Sequence, residues 1–283
     1  MWSIQDEVNF FKKSLSITDI DRLMYCIKEK YYAFAPKGGS IDNATIQSRN
    51  GILGSYTEKW ARHFFHNVAK ENHLKAINGV ICPEIGLTSR SSADLAFCTK
   101  EGVMQRPEDI KLIFEIKMGI VNNYTYNTLT TEFEYIGDYK THEGNPSLLR
   151  SDSMLKAIGK SINIRLCVKS KHIPIIVLGN SPITDSYTHK VDNLHRNGIV
   201  QHFISLYPNP TSTSHVISTP SSGFITPNDE LESWNLMNEI LNTDFNYFSS
   251  MKSDVEIGKI IREANKQPTD ELKGQEFLRL LEL

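Results

Sequence analysis

Three observations predict an α/β fold with a central mixed β-sheet flanked by helices. The run "IPIIVLG", 173–179, is nearly continuous in Ile and Val, which suits a central strand covered on both faces. In "KLIFEIKM", 111–118, side chains alternate, so Leu112, Phe114, Ile116 and Met118 take one face while Ile113, Glu115 and Lys117 take the other. Around these strands lie segments whose apolar residues recur at helical spacing. Their order is helix, strand, strand, helix, strand.

The N-terminal stretch carries helical spacing in "IQDEVNFFKKSL" and "ITDIDRLMYCIKEKYYAFA", then breaks at "PKGGSIDNATIQSRNG". Residues 1–54 read as a helical lead-in. Ser55 opens "SYTEKWARHFFHNVAKENH", a helix with Trp60, Ala61, Phe64, Phe65 and Val68 on one apolar face. The first core strand is "SADLAFC", 92–98. A polar stretch, 121–150, separates the second strand from the helix 151–168, with Ser151 or Asp152 as its N-cap. A strand at 199–206, a Pro/Ser/Thr-rich segment at 208–228, and helices at 229–242 and 254–265 follow. The expected layout is a lead-in at 1–54, a core at 55–207 and a mixed C-terminal addition at 208–283, packed as one compact unit.

With 283 residues, 40% of them hydrophobic, the chain can bury a substantial core. Lys and Arg number 31 against 33 Asp and Glu, a formal charge of -2, so any basic surface must be local. Cys26, Cys82, Cys98 and Cys167 lack CxxC or zinc-type spacing and read as reduced core thiols of a cytoplasmic protein. No apolar run approaches the roughly 20 residues of a membrane span. The opening "MWSIQDEVNFFKK" is acidic and amphipathic where a signal peptide is basic then apolar, so no membrane partner is expected.

Glu115 and Lys117 share one face of an otherwise apolar strand, and buried charges are costly unless paired. Asp94 stands near the start of the preceding strand, and "CTKEGVMQRPED" is a polar connection long enough for antiparallel pairing. Two carboxylates then converge. Together with a main-chain carbonyl and waters they form the hard-oxygen environment that Mg²⁺ prefers, and a lysine beside it can orient water or neutralise a phosphorus centre under attack.

Asp94 at the start of one strand and "EIK", Glu115 to Lys117, on the next resemble the signature of the PD-(D/E)XK nuclease superfamily. Glu58 in "SYTEKWARHFF" matches a glutamate that often joins the site from a preceding helix. The resemblance covers about 55–180. Ala93 stands where the family has a Pro, a position that varies widely within it. The resemblance implies a restriction-endonuclease-like core in which Asp94, Glu115 and the Ile116 carbonyl hold Mg²⁺ and Lys117 positions the attacking water. The length and the additions at both ends are similar to a type II restriction endonuclease. That class implies a homodimer cutting double-stranded DNA to leave 5′-phosphates, with a methyltransferase gene as genetic neighbour. Other nucleases of the superfamily, or a non-catalytic DNA-binding protein of the same fold, are the alternatives. A small-molecule α/β enzyme would show a Gly-rich strand-to-helix turn, and none follows these strands.

Several residues carry two readings. Ser55-Tyr-Thr-Glu58 also spells a capping box, which would occupy Glu58 at the helix start. Glu84 in "PE" is an alternative acidic element, but it precedes a Gly-containing turn. Lys140, His142, Asn145 and Arg150, in the polar stretch leaving the motif strand, and Lys156 and Lys160, four apart on the next helix, are candidate DNA contacts or ordinary solvated residues. "GKS" at 159–161 lacks the first P-loop Gly, with Met154 in its place. His63 and His66 read as helix-surface or core residues.

Overall fold

The computed structural model describes residues 1–38, 46–207, 217–245, 247 and 252–281. They fall into two units, 1–245 and 246–283. The first unit contains α1 (Ile4–Leu15), β1 (Tyr25–Ile27), β2 (Lys30–Tyr32), α2 (Gln47–Phe64), α3 (His66–Glu71), β3 (Lys75–Ile77), β4 (Leu95–Cys98) and β5 (Ile110–Ile116). It continues with β6 (Asn123–Asn127), β7 (Glu132–Gly137), α4 (Ser151–Arg165), β8 (Ile175–Gly179), α5 (Thr188–Arg196), β9 (His202–Ser205), β10 (Phe224–Ile225) and α6 (Glu230–Asn242). In the second unit α7 (Asp254–Ala264) and α8 (Asp270–Leu281) pack on each other, and Ser253 and Glu256 close a capping box at the start of α7.

The main sheet runs β10-β9-β8-β5-β4-β3. β3, β4 and β5 pair antiparallel, while β5, β8, β9 and β10 pair parallel, so the sheet is mixed. β8 lies inside the sheet, and its five residues are all buried, as the Ile/Val run requires. Strand alternation sorts the helices onto the two faces. Leu95, Phe97, Leu112, Phe114 and Ile116 pack with Ala61, Phe65, Val68 and Met237, the α2, α3 and α6 side. Ala96, Cys98 and Ile113 pack with Ile164 of α4, while Val177 and Phe203 pack with Met154 and Ala157 of α4 and Val191 of α5.

A second, antiparallel sheet, β1-β2-β6-β7, draws together two distant segments. The lead-in was expected to be helical, yet "YCIKEKYY" is a hairpin whose two-residue turn places Lys28 and Glu29 at φ 47° and 63°. The polar stretch likewise contains β6 and β7, where Tyr124, Tyr126 and Phe133 join the cluster around Phe10 and Phe11. The boundary expected at 54 falls within α2. That helix starts at Gln47 with Ile46 as N-cap and no side-chain cap bond, so the Ser55–Glu58 capping box does not form. Burial of Arg49 and Leu53 outweighs the poor helix propensity of Gly51 and Gly54. Nor do Ser151 or Asp152 cap α4: its N-cap is Arg150, without a side-chain cap bond. Cys82 and Cys98 are core thiols, whereas Cys26 is exposed and Cys167 half-buried, so the expectation holds for two of the four. The segment 208–216, part of the Pro/Ser/Thr-rich run, lies outside the described residues. Among the described residues no helix is long and apolar enough to cross a membrane.

Glu7 ties α1 to the entrance of β6. Its carboxylate, fully buried, accepts from Trp2 Nε1 at 3.1 Å, Val121 N at 2.7 Å, Asn122 N at 3.1 Å, Asn122 Nδ2 at 3.0 Å and Tyr124 Oη at 2.8 Å. Burial pushes its pKa up, against the pull of those donors. Truncation would strand the donors in a dry site. Glu7→Ala is expected to cost about 3 kcal/mol or more in urea unfolding; a loss below about 1 kcal/mol would mean that the donors re-pair without it.

Candidate active site

The antiparallel register of β4 and β5 pairs Leu95 with Phe114, so the preceding residue, Asp94, comes level with Glu115 on the α4 side. The main-chain N–H of Ile116 donates to Asp94 Oδ2 at 2.7 Å and fixes that carboxylate. Glu115 is 4% exposed. Lys117 reaches back along the strand, pairing with Glu115 Oε1 and lying 3.7 Å from Asp94 Oδ2. From α4, Lys160 pairs with Glu115 Oε2 and donates to Asp94 Oδ1 at 3.1 Å. Two carboxylates and two ammonium groups thus form one closed cluster with no formal excess charge.

The titration behaviour follows from this crowding. Burial, then the neighbouring Asp94, raises the Glu115 pKa against the pull of Lys117 and Lys160. Burial depresses Lys160, but the Asp94 and Glu115 carboxylates outweigh it and leave its pKa raised. Glu58 stands on α2 close enough to feel the cluster: burial first, then Asp94, pushes its pKa to about 7, while Lys160 and Lys117 oppose the rise. Asn78 bridges the two elements, donating through Nδ2 to the Glu58 carbonyl at 2.9 Å and the Asp94 carbonyl at 2.8 Å.

A second set of contacts locks the chain after β5. Lys117 N donates to Leu178 O at 2.7 Å, and Ser147 Oγ donates to Lys117 O at 2.6 Å while accepting from Asn180 N at 3.0 Å. Asn180 also exchanges side-chain bonds with the main chain of Gly119, at 2.8 and 2.7 Å. Gly179 permits this approach, since a Cβ there would meet Leu148 Cγ at 2.4 Å and Ser147 Oγ at 2.8 Å.

The donor set suits a hard cation. Glu115 Oε1, Asp94 Oδ2 and the Ile116 carbonyl, at 3.2 Å, already converge on the cationic nitrogen of Lys117. Among the described residues no group of three or more His, Cys, Asp or Glu side chains is arranged to hold a metal. A divalent ion here would therefore take two carboxylates and fill its remaining positions with the carbonyl, water or substrate oxygen, as Mg²⁺ commonly does.

The other residues singled out in the sequence scatter. Lys160 belongs to the ionic cluster and is turned inward. His142 is 2% exposed; its ring stacks on Phe34 at 4.0 Å and its nitrogens meet the Glu143 and Val121 carbonyls, so it is a packed residue of the small-sheet region and is not presented to a ligand. Lys140 is exposed in the turn after β7. Asn145, Arg150 and Lys156 line a cleft of 610 Å³ together with Lys117, Phe34 and Arg49. Glu84 pairs with Lys169 outside the cluster, which leaves Asp94 as the acidic partner of Glu115. His63 Nδ1 is bonded to the Lys59 carbonyl, within its own helix. The supports Asn78, Ser147 and Asn180 had no local signature in the sequence beyond "GNS" directly after the most apolar strand, and nothing local marked Lys160, a candidate DNA contact, as turned inward to the carboxylates.

Compared with known proteins, the chain matches no family model, no curated protein and no solved structure.

The raised Glu58 pKa gives a signed expectation. Between pH 4.5 and about 7 the folded chain holds a proton at Glu58 that the unfolded chain has released, so this group's contribution to stability falls as pH rises through that window. Measured by urea unfolding across the window, wild type should lose stability relative to Glu58→Gln. Parallel curves would show that Glu58 titrates as it does in the unfolded chain.

Proposed function

We propose that this chain is a Mg²⁺-dependent endonuclease of the PD-(D/E)XK type, most like a type II restriction endonuclease, that hydrolyses phosphodiester bonds in double-stranded DNA. The observation that carries this reading is the convergence of Asp94, Glu115 and Lys117 at the end of paired strands, beside a cleft lined by Lys117, Arg150 and Lys156. The mixed sheet, with its antiparallel strands entering through β4 and β5 and its parallel strand reached through α4, supports it.

Asp94, Glu115 and the Ile116 carbonyl are the residues that would hold Mg²⁺, which when bound supplies Lewis-acid stabilisation of charge on phosphate oxygen and lowers the pKa of water. Lys117 orients the water and offsets negative charge growing on the phosphoryl oxygens. Attack forms a bond from the water oxygen to phosphorus and breaks the bond to the 3′ oxygen, leaving a 5′-phosphate and a 3′-hydroxyl. The water proton passes to a carboxylate or to solvent, and the 3′ oxygen takes a proton from solvent. Glu58, raised to about 7 by burial and by Asp94, would exchange a proton readily near neutral pH and could help in that transfer. The two sites that a double-strand cut requires imply a two-fold homodimer and a near-palindromic target. A methyltransferase gene as genetic neighbour belongs to the same proposal.

The test is digestion of phage and plasmid DNA by purified protein, with Mg²⁺ or EDTA, using wild type, Asp94→Asn and Lys117→Ala. Discrete fragments that require Mg²⁺ and a loss of about 10²-fold or more in each variant are expected. Folded wild type that leaves all DNA intact would overturn the reading; DNA binding without cleavage would then favour a non-catalytic binder in which the ionic cluster serves the fold.

A further inference from the structure

Arg49 on α2 is 3% exposed, yet among the described residues no carboxylate pairs with it. Nη1 donates to the Leu23 carbonyl at 3.1 Å and to the Ala33 carbonyl. The guanidinium also lies over the Phe34 ring, 4.7 Å from its centroid, and 5.6 Å from that of Tyr25. These contacts leave the rest of the guanidinium fork without a protein acceptor among the described residues. Burial without an acid pulls the group down to about 10. Two carbonyl acceptors and two ring faces soften the cost of a buried charge but do not neutralise it. A neutral donor would serve those carbonyls as well, so the described contacts alone give no reason for a full charge here.

Arg49 also lines the 610 Å³ cleft that Lys117, Arg150 and Lys156 line. Among the described residues the acids on that cleft are Glu143 and Asp152. Asp152 is engaged by Lys156 at 3.0 Å and Arg150 at 3.9 Å, and Glu143 accepts from Gly38 N at 3.4 Å. Neither pairs with Arg49.

We propose that Arg49 is a built anion site that takes a phosphate of the nucleic-acid backbone, a phosphate other than the one at Lys117, and so fixes the register of the strand along the cleft. A planar fork with donors unused among the described residues matches the paired oxygens of a phosphodiester, and an anion entering from the cleft completes a charge that no described acid compensates. The nucleic-acid occupant rests on the nuclease reading. The anion site itself does not.

Two arms separate these. In the first, inorganic phosphate is titrated against wild type, Asp94→Asn and Arg49→Gln, with chloride as control. Phosphate is expected to raise the Tm of the first two alike and to leave Arg49→Gln unmoved; an equal rise in Arg49→Gln overturns the site. Should Arg49→Gln fail to fold, ¹⁵N-arginine NMR of wild type decides. One Nε–H resonance, assigned by its absence in Arg49→Lys, is expected to shift saturably with phosphate and not with chloride, and a resonance that stays still overturns the site.

The second arm measures a labelled DNA duplex by fluorescence anisotropy in the Asp94→Asn background across a KCl series. Adding Arg49→Gln is expected to weaken binding about tenfold and to reduce the slope of log affinity against log salt by about one. An unchanged slope overturns the backbone-phosphate assignment even if the wild type cleaves DNA. Phosphate binding through Arg49 with no duplex binding would retain the anion site and overturn its nucleic-acid occupant.

Discussion

The hydrogen bond from the Ile116 main chain to the Asp94 carboxylate is the constraint on which the candidate site depends. It comes at the point where the β4–β5 ladder ends, so the strand register and the position of the carboxylate are set by the same pairing. A slip of one residue would turn Glu115 and Lys117 onto the α2 face, into the apolar cluster of Phe65, Phe97 and Phe114. The apolar side of β5 thus specifies the polar side. Leu112, Phe114 and Ile116 must face the aromatic core, and Glu115 must then face α4 and Lys160.

Around this constraint the chain builds two kinds of support. Asn78 links the backbone of α2 at Glu58 to that of Asp94, the residue before β4. Ser147 and Asn180 hold the segment that follows β5 against the end of β8, with Gly179 making the room. The excursion through the small sheet is therefore anchored at its exit from β5 and again just before α4. That geometry keeps the cleft residues Asn145 and Arg150 on the same body as Lys117.

The parts legible in the sequence were those encoded by short-range periodicity. Strand alternation in 111–118 and the Ile/Val run before Gly179 gave the two central strands and put Glu115 and Lys117 on one face, while Asp94 followed from its place near the start of the preceding strand. Long-range placement was not encoded in that way. Lys160 read with Lys156 as a candidate DNA contact or a solvated residue, because helical spacing fixes its angle on α4 but not which sheet residue lies opposite. Tyr124 and Tyr126 alternate as a strand should, yet the surrounding Asn and Thr disguised β6 as a loop. Arg49 sits among glycines, and only the packing of Phe34 and Tyr25 around it makes it a buried cation. His142 misled for the opposite reason: its residue type suits phosphate contact, while stacking on Phe34 removes it from the surface.

In the proposed function Asp94 and Glu115 form a cation site whose place lysine ammonium groups take here. Calorimetric titration of Mg²⁺ into wild type, Asp94→Asn and Lys160→Met tests it directly, because each variant changes the charge beside the carboxylates in a known direction. A saturable event is expected in wild type, weakened about tenfold or more in Asp94→Asn and tightened in Lys160→Met, where one competing ammonium is gone. Binding that is absent in folded wild type, or unchanged in Asp94→Asn, would contradict it and leave the cluster as a salt-bridged support of the sheet.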